Sequence, residues 1–332
     1  MTNKEIYKQL CETEGCNIPL FLQYWWMQTV CEGKQWDVAL AYIDPDAEQS
    51  INNIIGALPY LLGKRMGMRF VLQPELTQYN GPFYRYPDNL NDQRRLSFEG
   101  KVCKQLIAQL KNLHLAYYQQ NFAPSITNWL PFYWQKFSQT TRYTYRITNL
   151  HHLDEVFANF DHSKRQRHIL KLDPAYTNDE NISPSDFADF HIAYWQSRGV
   201  HDLLTHDFIA HVCQAAIAKK QGFILGLRDS EGILRAARFV VWDSNCAYSL
   251  LSALHPNHYD NSISALLFWR IFQQLTAYTK TFDFEGSMDP GIEYSYRSYG
   301  ARQTPYFQIT QCSNQLFRVL LRAKQFTSQH AL

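Results

Sequence analysis

Residues 223–254, FILGLRDSEGILRAARFVVWDSNCAYSLLSAL, alternate between three apolar runs and two polar turns. Phe223–Arg228, Leu234–Trp242 and Ala247–Leu254 have the aromatic, β-branched and leucine content of strands. Asp229-Ser230-Glu231-Gly232 and Asp243-Ser244-Asn245 supply turn chemistry between them, so the segment reads as an antiparallel meander. After a polar loop, Ile263, Leu267, Ile271 and Leu275 share one face of a helix. A strand at Thr281–Glu285 follows. Then come a short helix ending near Gly300, a strand over Pro305–Ile309 and a last helix starting near Gln315.

Upstream, Leu153–Phe160 and Lys164–Leu170 are helical. Ser183-Pro184-Ser185-Asp186 is a helix start, with Ser183 as cap, Pro184 in the first position and Asp186 completing a capping box. That helix runs to Arg198 and stops at Gly199, and another covers Asp207–Lys220. The first half of the chain has the same order. A helix through Ile18–Val30 precedes strands at Trp36–Ile43, Ile54–Leu62 and Arg69–Leu72. An irregular stretch from Pro74 to Pro87 leads to a helix near Ser97–Leu113, with Val102, Leu106, Leu110 and Leu113 on one face, and Arg142–Ile147 is strand-like. Both halves therefore read as helix, three strands, loop and helix. The expectation is an α/β (α+β) chain of two repeats, residues 1–150 and 151–332.

Composition agrees with a large core. The chain has 332 residues, 45% hydrophobic and 19% charged, with 21 Tyr, 21 Phe and 8 Trp. That excludes collagen-like and disordered classes. Net charge is +2, with 15 Lys+Arg against 12 Asp+Glu before residue 150 and 17 against 18 after it, so neither half is a general polyanion binder. No apolar run reaches about 18 residues, the length of a membrane-spanning helix. The start, MTNKEIYKQLCETEGC, carries acids and no apolar core, and reads as no secretory signal. Seven scattered Cys without a C-x-x-C pair read as reduced thiols of a cytoplasmic protein.

Several chemical motifs fail. Gly56 to Gly63-Lys64-Arg65 lacks the spacing and the Ser/Thr of a phosphate loop, and there is neither a G-x-S-x-G elbow nor a G-x-G-x-x-G turn. His201, His206 and His211 fall on different helix faces, and His255 and His258 have no completing ligand, so no metal site is expected.

Phe282-Asp283-Phe284-Glu285-Gly286-Ser287-Met288 is the informative segment. Strand alternation sends Phe282 and Phe284 to the core and puts Asp283 and Glu285 together on the other face. Carboxylates at a strand end, followed by Gly-Ser, sit where such sheets place ligands. The competing reading is that Asp283 or Glu285 caps the next helix or pairs with an Arg. A second cluster, His162-Ser163-Lys164-Arg165-Gln166-Arg167-His168 through Lys171, contains no acid. Helical spacing puts Lys164, Arg167 and Lys171 on one face and Arg165 elsewhere. It reads either as a phosphate-binding face or as an ordinary solvated one.

FDFEGSMDPGIEYSYRSYGARQTPYFQI resembles the C-terminal signature of the Fem-like branch of the GNAT acyltransferase superfamily. PLFLQYWWMQTVCEGKQWDVAL, ALPYLLGKRMGMRFVLQPELTQYNGPF and ITNWLPFYWQKFSQTTRYTYRI are similar to other parts of that branch, and SKRQRHILK resembles its R-x-x-I-x-K-type motif. The resemblance implies two tandem GNAT-like domains, each a mixed, largely antiparallel sheet flanked by helices. It implies an N-acyltransferase that moves an acyl or aminoacyl group to an amine, such as that of a cell-wall (peptidoglycan) precursor, with aminoacyl-tRNA or acyl-CoA as donor. On this resemblance Glu285 with Asp283 accepts or positions the amine proton, Ser287 orients the acceptor and Tyr299, beyond Arg297, donates a proton. Lys164, Arg165, Arg167 and Lys171 are the candidates for donor or acceptor phosphates. Tyr79-Asn80-Gly81-Pro82, with Thr77 and Gln78 before it, matches the branch's Gly-Pro loop, where Gly81 permits close backbone approach or makes a simple turn.

One stretch departs from the acyl-CoA pattern. His255-Pro256-Asn257-His258-Tyr259-Asp260-Asn261-Ser262 holds no Gly where a phosphate-cradling loop is expected, and Asp260 would repel a phosphate. Two other readings stand beside the first: an acyl-CoA-dependent N-acetyltransferase with a divergent donor loop, and a non-catalytic ligand-binding protein on the same fold.

Overall fold

Two meanders organise the computed structural model, one in each half of the chain, which is described over residues 1–13, 15–46, 50–200, 204–257, 262–286 and 288–314. The chain divides into two units, Met1–Arg142 with Pro305–Leu332, and Tyr143–Thr304. Where the sequence suggests a boundary near Leu150, the chain passes from one unit to the other inside a strand, and it returns to the first unit at Pro305.

The first unit opens with helices Asn3–Glu12 (α1) and Tyr24–Val30 (α2). The single helix expected over Ile18–Val30 is instead a 3-10 turn, Leu20–Leu22, followed by α2. Strands Gln35–Tyr42 (β1), Ile54–Arg65 (β2) and Met68–Leu72 (β3) form the meander, and Phe83–Tyr84 (β4) adds to β2. Helix Asp92–Asn112 (α3), capped by Asn91, crosses to Leu115–Phe122 (β5), which pairs with β3 in parallel. Val102, Leu106 and Leu110 of α3 are buried against Leu58, Val71 and Tyr118 of the sheet. Each such side chain contributes about 1.5–3 kcal/mol by leaving water. The short helix Leu130–Tyr133 (α4) precedes Ser138–Ile147 (β6).

The second unit repeats the plan. Helix Leu153–Ala158 (α5) and a π-helical segment, Lys164–Leu170, lead to the edge strand Thr177–Asp179 (β7). Helices Pro184–Ser197 (α6) and His206–Ala218 (α7) follow, and Ser183 caps α6 through the Asp186 amide as expected. The meander is Gly222–Arg228 (β8), Leu234–Trp242 (β9) and Ala247–Leu254 (β10). Helix Ile263–Leu275 (α8) crosses to Phe282–Asp283 (β11), parallel to β10. Helix Pro290–Arg297 (α9) and strand Arg302–Cys312 (β12) complete the described chain, and from Phe307 onward β12 pairs with β5 in the first unit. Both units are thus mixed, largely antiparallel sheets flanked by helices, as expected of tandem repeats. The last helix expected from Gln315 lies outside the described residues. Among the described residues no helix is long and apolar enough to cross a membrane.

Candidate active site

Phe282 and Phe284 are buried in the core of the second unit, against Phe268 and Phe272 of α8. Asp283 is fully buried on the opposite face, directly across from Arg146 on β6. Arg146 Nε donates to Asp283 Oδ2 at 2.7 Å, while Thr144 Oγ1 and the Glu285 amide donate to Oδ1. The carboxylate is therefore held on both oxygens, and its Arg pairing is the competing reading given above. Asp283 fixes the end of the strand.

Glu285 does not share the strand alternation of Asp283. The strand ends at Asp283, and Glu285 adopts a left-handed backbone, φ 60°. A non-Gly residue held there costs energy that its surroundings must overcome. Its Oε1 is buried without a hydrogen-bond partner. Burial, and then the charge of Asp283, push its carboxyl well above the usual carboxylate range. Gly286 donates its amide to Thr144 Oγ1, and a Cβ there would stand 2.1 Å from the Tyr143 carbonyl oxygen. Gly286→Ala is expected to displace this strand end and cost about 1–3 kcal/mol in urea unfolding.

Phe284 also backs the wall of a cavity. It packs on Tyr296 with ring centroids 4.8 Å apart and stacks on Tyr299 at 5.3 Å. Those two tyrosines line a cavity of about 440 Å³ with Arg238, Ser252, Phe268 and Lys164. It lies among β9, β10, α8, α9 and the π-helical segment. Burial raises both the Tyr296 and the Tyr299 phenols above their ordinary value, so both keep their protons near neutral pH.

The basic cluster is not laid out as α-helical spacing predicts. The Lys171 amide donates to the Gln166 carbonyl, five residues back, in the wider turn of a π-helix. That turn breaks the expected common face of Lys164, Arg167 and Lys171. Lys164 turns inward, its Nζ 3.9 Å from the centre of the Tyr299 ring, whereas Arg167 and Lys171 are exposed. Arg165 is half-buried, with Nε lacking a partner. Burial lowers the Lys164 amine to about 8, opposed only in part by Asp161.

The other expected residues stand elsewhere. Arg297 is exposed on α9 and pairs with Glu293 at 3.3 Å. In the first unit, Tyr79 and Asn80 are buried, and Tyr79 packs edge-on against Tyr306. Gly81 has φ 100°, and a Cβ there would stand 2.5 Å from the Phe122 ring, so its lack of a side chain serves the close packing of the loop. Ser287 and His258–Asn261 lie outside the described residues, as does His201. Among the described residues no group of His, Cys, Asp and Glu has the makings of a metal site.

Arg238, Tyr194, Ser252 and Phe268 were not legible as site residues from motifs. Arg238 nonetheless carries a signal. It shares the core-facing side of β9 with Ala236 and Val240, a cation at a position where alternation calls for an apolar residue.

Residues 163–296 match the acetyltransferase (GNAT) domain family. No curated protein matches the sequence. Among solved structures, FemX is similar with a TM-score of 0.69 at 12% identity, over 96% of this chain and 98% of that one. L-PGS from Bacillus licheniformis is similar with a TM-score of 0.57 at 12% identity, over 97% and 96% of the two chains. A tandem GNAT protein from the clavulanic acid biosynthesis pathway gives 0.50 at 9% identity, over 93% and 94%. At these identities the likeness is one of fold.

Proposed function

We propose that this chain, whose fold is that of the Fem-like branch of the GNAT acyltransferase superfamily, transfers an acyl or aminoacyl group to an amine in the cavity of its second unit. The observation that carries this reading is Lys164. Its amine lines the cavity, inside the segment that matches the GNAT family, and burial lowers it to about 8. Amide formation needs a group that takes a proton from the attacking amine and returns one to the leaving atom. Lys164, neutral in part at working pH, takes the proton as the new C–N bond forms. The acyl C–O or C–S bond breaks, and the leaving atom receives its proton from a phenol of Tyr296 or Tyr299. Glu285, whose carboxyl is pushed well above the usual range by burial, is assigned the role of proton reservoir that restores the phenol. Asp283 positions Glu285 through its amide, and Ser287 orients the acceptor.

Arg165, Arg167 and Lys171 remain candidates for phosphate contacts outside the cavity, and Arg297 and Tyr79–Gly81 for acceptor binding. The glycine-free stretch at 255–262 favours a tRNA-borne donor over acyl-CoA, and the cell-wall precursor amine is the acceptor to try first. A cytoplasmic place fits both substrates.

Two measurements test this reading. Lys164→Met is expected to reduce turnover about 10²–10⁴-fold and to abolish a rate limb that rises with pH through about 8. An unchanged limb removes Lys164 from the chemistry. Because the folded value lies below the ordinary 10.5, the wild-type chain should gain stability relative to Lys164→Met as pH rises from about 8 to 10.5. Native mass spectrometry with charged tRNA and an acyl-CoA panel separates the donors. A stoichiometric coenzyme A adduct would overturn the tRNA assignment.

A further inference from the structure

Arg238 lines the same cavity, and among the described residues no carboxylate pairs with it. Its guanidinium lies 3.9 Å over the Phe268 ring and donates through Nη1 to Ser249 Oγ. Its Nε is buried and has no hydrogen-bond partner. Among the described residues no carboxylate lies within ion-pair distance of it. Burial works against its charge, opposed only by the weaker electrostatic effects of Tyr296, Tyr299 and Tyr194. Asp289, the carboxylate on the cavity lining, is engaged as the α9 cap by the amides of Gly291 and Ile292, at 2.9 and 3.0 Å.

A guanidinium placed among rings and aliphatic side chains without a counter-ion is a standing cost to the fold. Packing alone gives no reason for it: β9 needs an apolar residue here, and Arg238 interrupts the core face between Ala236 and Val240. The planar fork of Arg is suited to two parallel hydrogen bonds to one oxyanion, and its strength grows where water is thin. The cavity around it, about 440 Å³, is lined by the rings of Phe268, Tyr194 and Tyr296. Ser252, the cross-strand partner of Arg238, and Ser264 also line it.

We infer that Arg238 is a recognition site for a compact oxyanion, a carboxylate or a phosphate, carried by the small-molecule portion of the substrate that enters this cavity. The site sets specificity: it selects substrates in which an anionic group lies beside an apolar or planar part. It is distinct from Lys164, which stays free to move protons.

The test uses the full chain and reads binding without turnover. It rests on the proposed cavity as the substrate site, yet an absent acyltransferase activity leaves an oxyanion signal intact, and the reverse also holds. Inorganic phosphate and acetate are titrated against the wild type, Arg238→Met and Arg238→Lys at constant ionic strength made up with chloride. Melting temperature and, for phosphate, ³¹P line width are followed. The wild type is expected to show a saturable rise with at least one probe. Arg238→Lys should bind about tenfold or more weakly, and Arg238→Met should show no saturable response. Since Arg238→Met removes an unpaired charge, it should fold at least as well as the wild type, and Arg238→Lys keeps the charge should it not. Phosphate and acetate divide phosphate-bearing from carboxylate-bearing substrates. No saturable response to either probe, or the same response in Arg238→Met, would overturn the assignment.

Discussion

Arg146→Met is expected to destabilise the protein by about 3–5 kcal/mol, because it leaves the Asp283 carboxylate buried and without its cation. Asp283 is fully enclosed and Arg146 only slightly exposed, with the two residues directly across from one another on β11 and β6. Thr144 and the Glu285 amide would still donate to Oδ1, which limits the loss and keeps the strand end recognisable. Urea unfolding of the single variant, and of Arg146→Met combined with Asp283→Asn, measures the pair directly. The double variant should recover part of the loss, since the uncompensated charge is gone. A loss below about 1 kcal/mol in the single variant would mean that the pair is worth no more than an exposed ion pair.

Glu285→Gln is expected to lower turnover by about 10²–10⁴-fold, the span of a lost proton-transfer group, while leaving the fold intact. Gln keeps the shape and removes the titration. The same variant has a stability signature that runs with pH. The folded-state carboxyl of Glu285 binds its proton more tightly than the unfolded chain, whose value is near 4.5. The resulting stability is fully present below that value and is lost as pH rises toward the folded value. Glu285→Gln lacks this loss, so its stability relative to the wild type should grow from acid to neutral pH. Full turnover in Glu285→Gln removes this residue from the mechanism. A flat stability difference would mean that its environment does not disfavour the charge.

Much of the fold was legible because local chemistry and tertiary packing agree. Phe282 and Phe284 go to the core as alternation requires, Ser183 caps α6 as its spacing requires, and both meanders stand where turn residues separate apolar runs. β5, LAYYQQNF, was not read because glutamines break its pattern. Gln120 is fully buried all the same, donating to the Pro59 carbonyl at 2.9 Å and accepting from Tyr118. A polar side chain whose backbone partner comes from a distant strand has no one-dimensional signature.

The site was legible only in outline. The carboxylates after Phe282 marked a strand end as a candidate, but alternation could not foresee the left-handed turn at Glu285. The basic cluster was visible as charge, yet its spacing does not tell an α- from a π-helix, and in the π-helical segment Lys164 lies against Tyr299. Arg238 was the missed opportunity: its place in an apolar strand marked it without any motif.

Acyl transfer to an amine in the second unit is the reaction proposed. It is tested most directly by single-turnover transfer, with charged tRNA and acyl-CoA offered in parallel to a panel of amine acceptors and the amide product identified by mass spectrometry. An amide is expected from the wild type with charged tRNA, and its formation should be strongly slowed in Lys164→Met and Glu285→Gln. Absence of any amide from either donor, in a protein that binds both donor and amine, would contradict it and leave a ligand-binding protein on an acyltransferase fold.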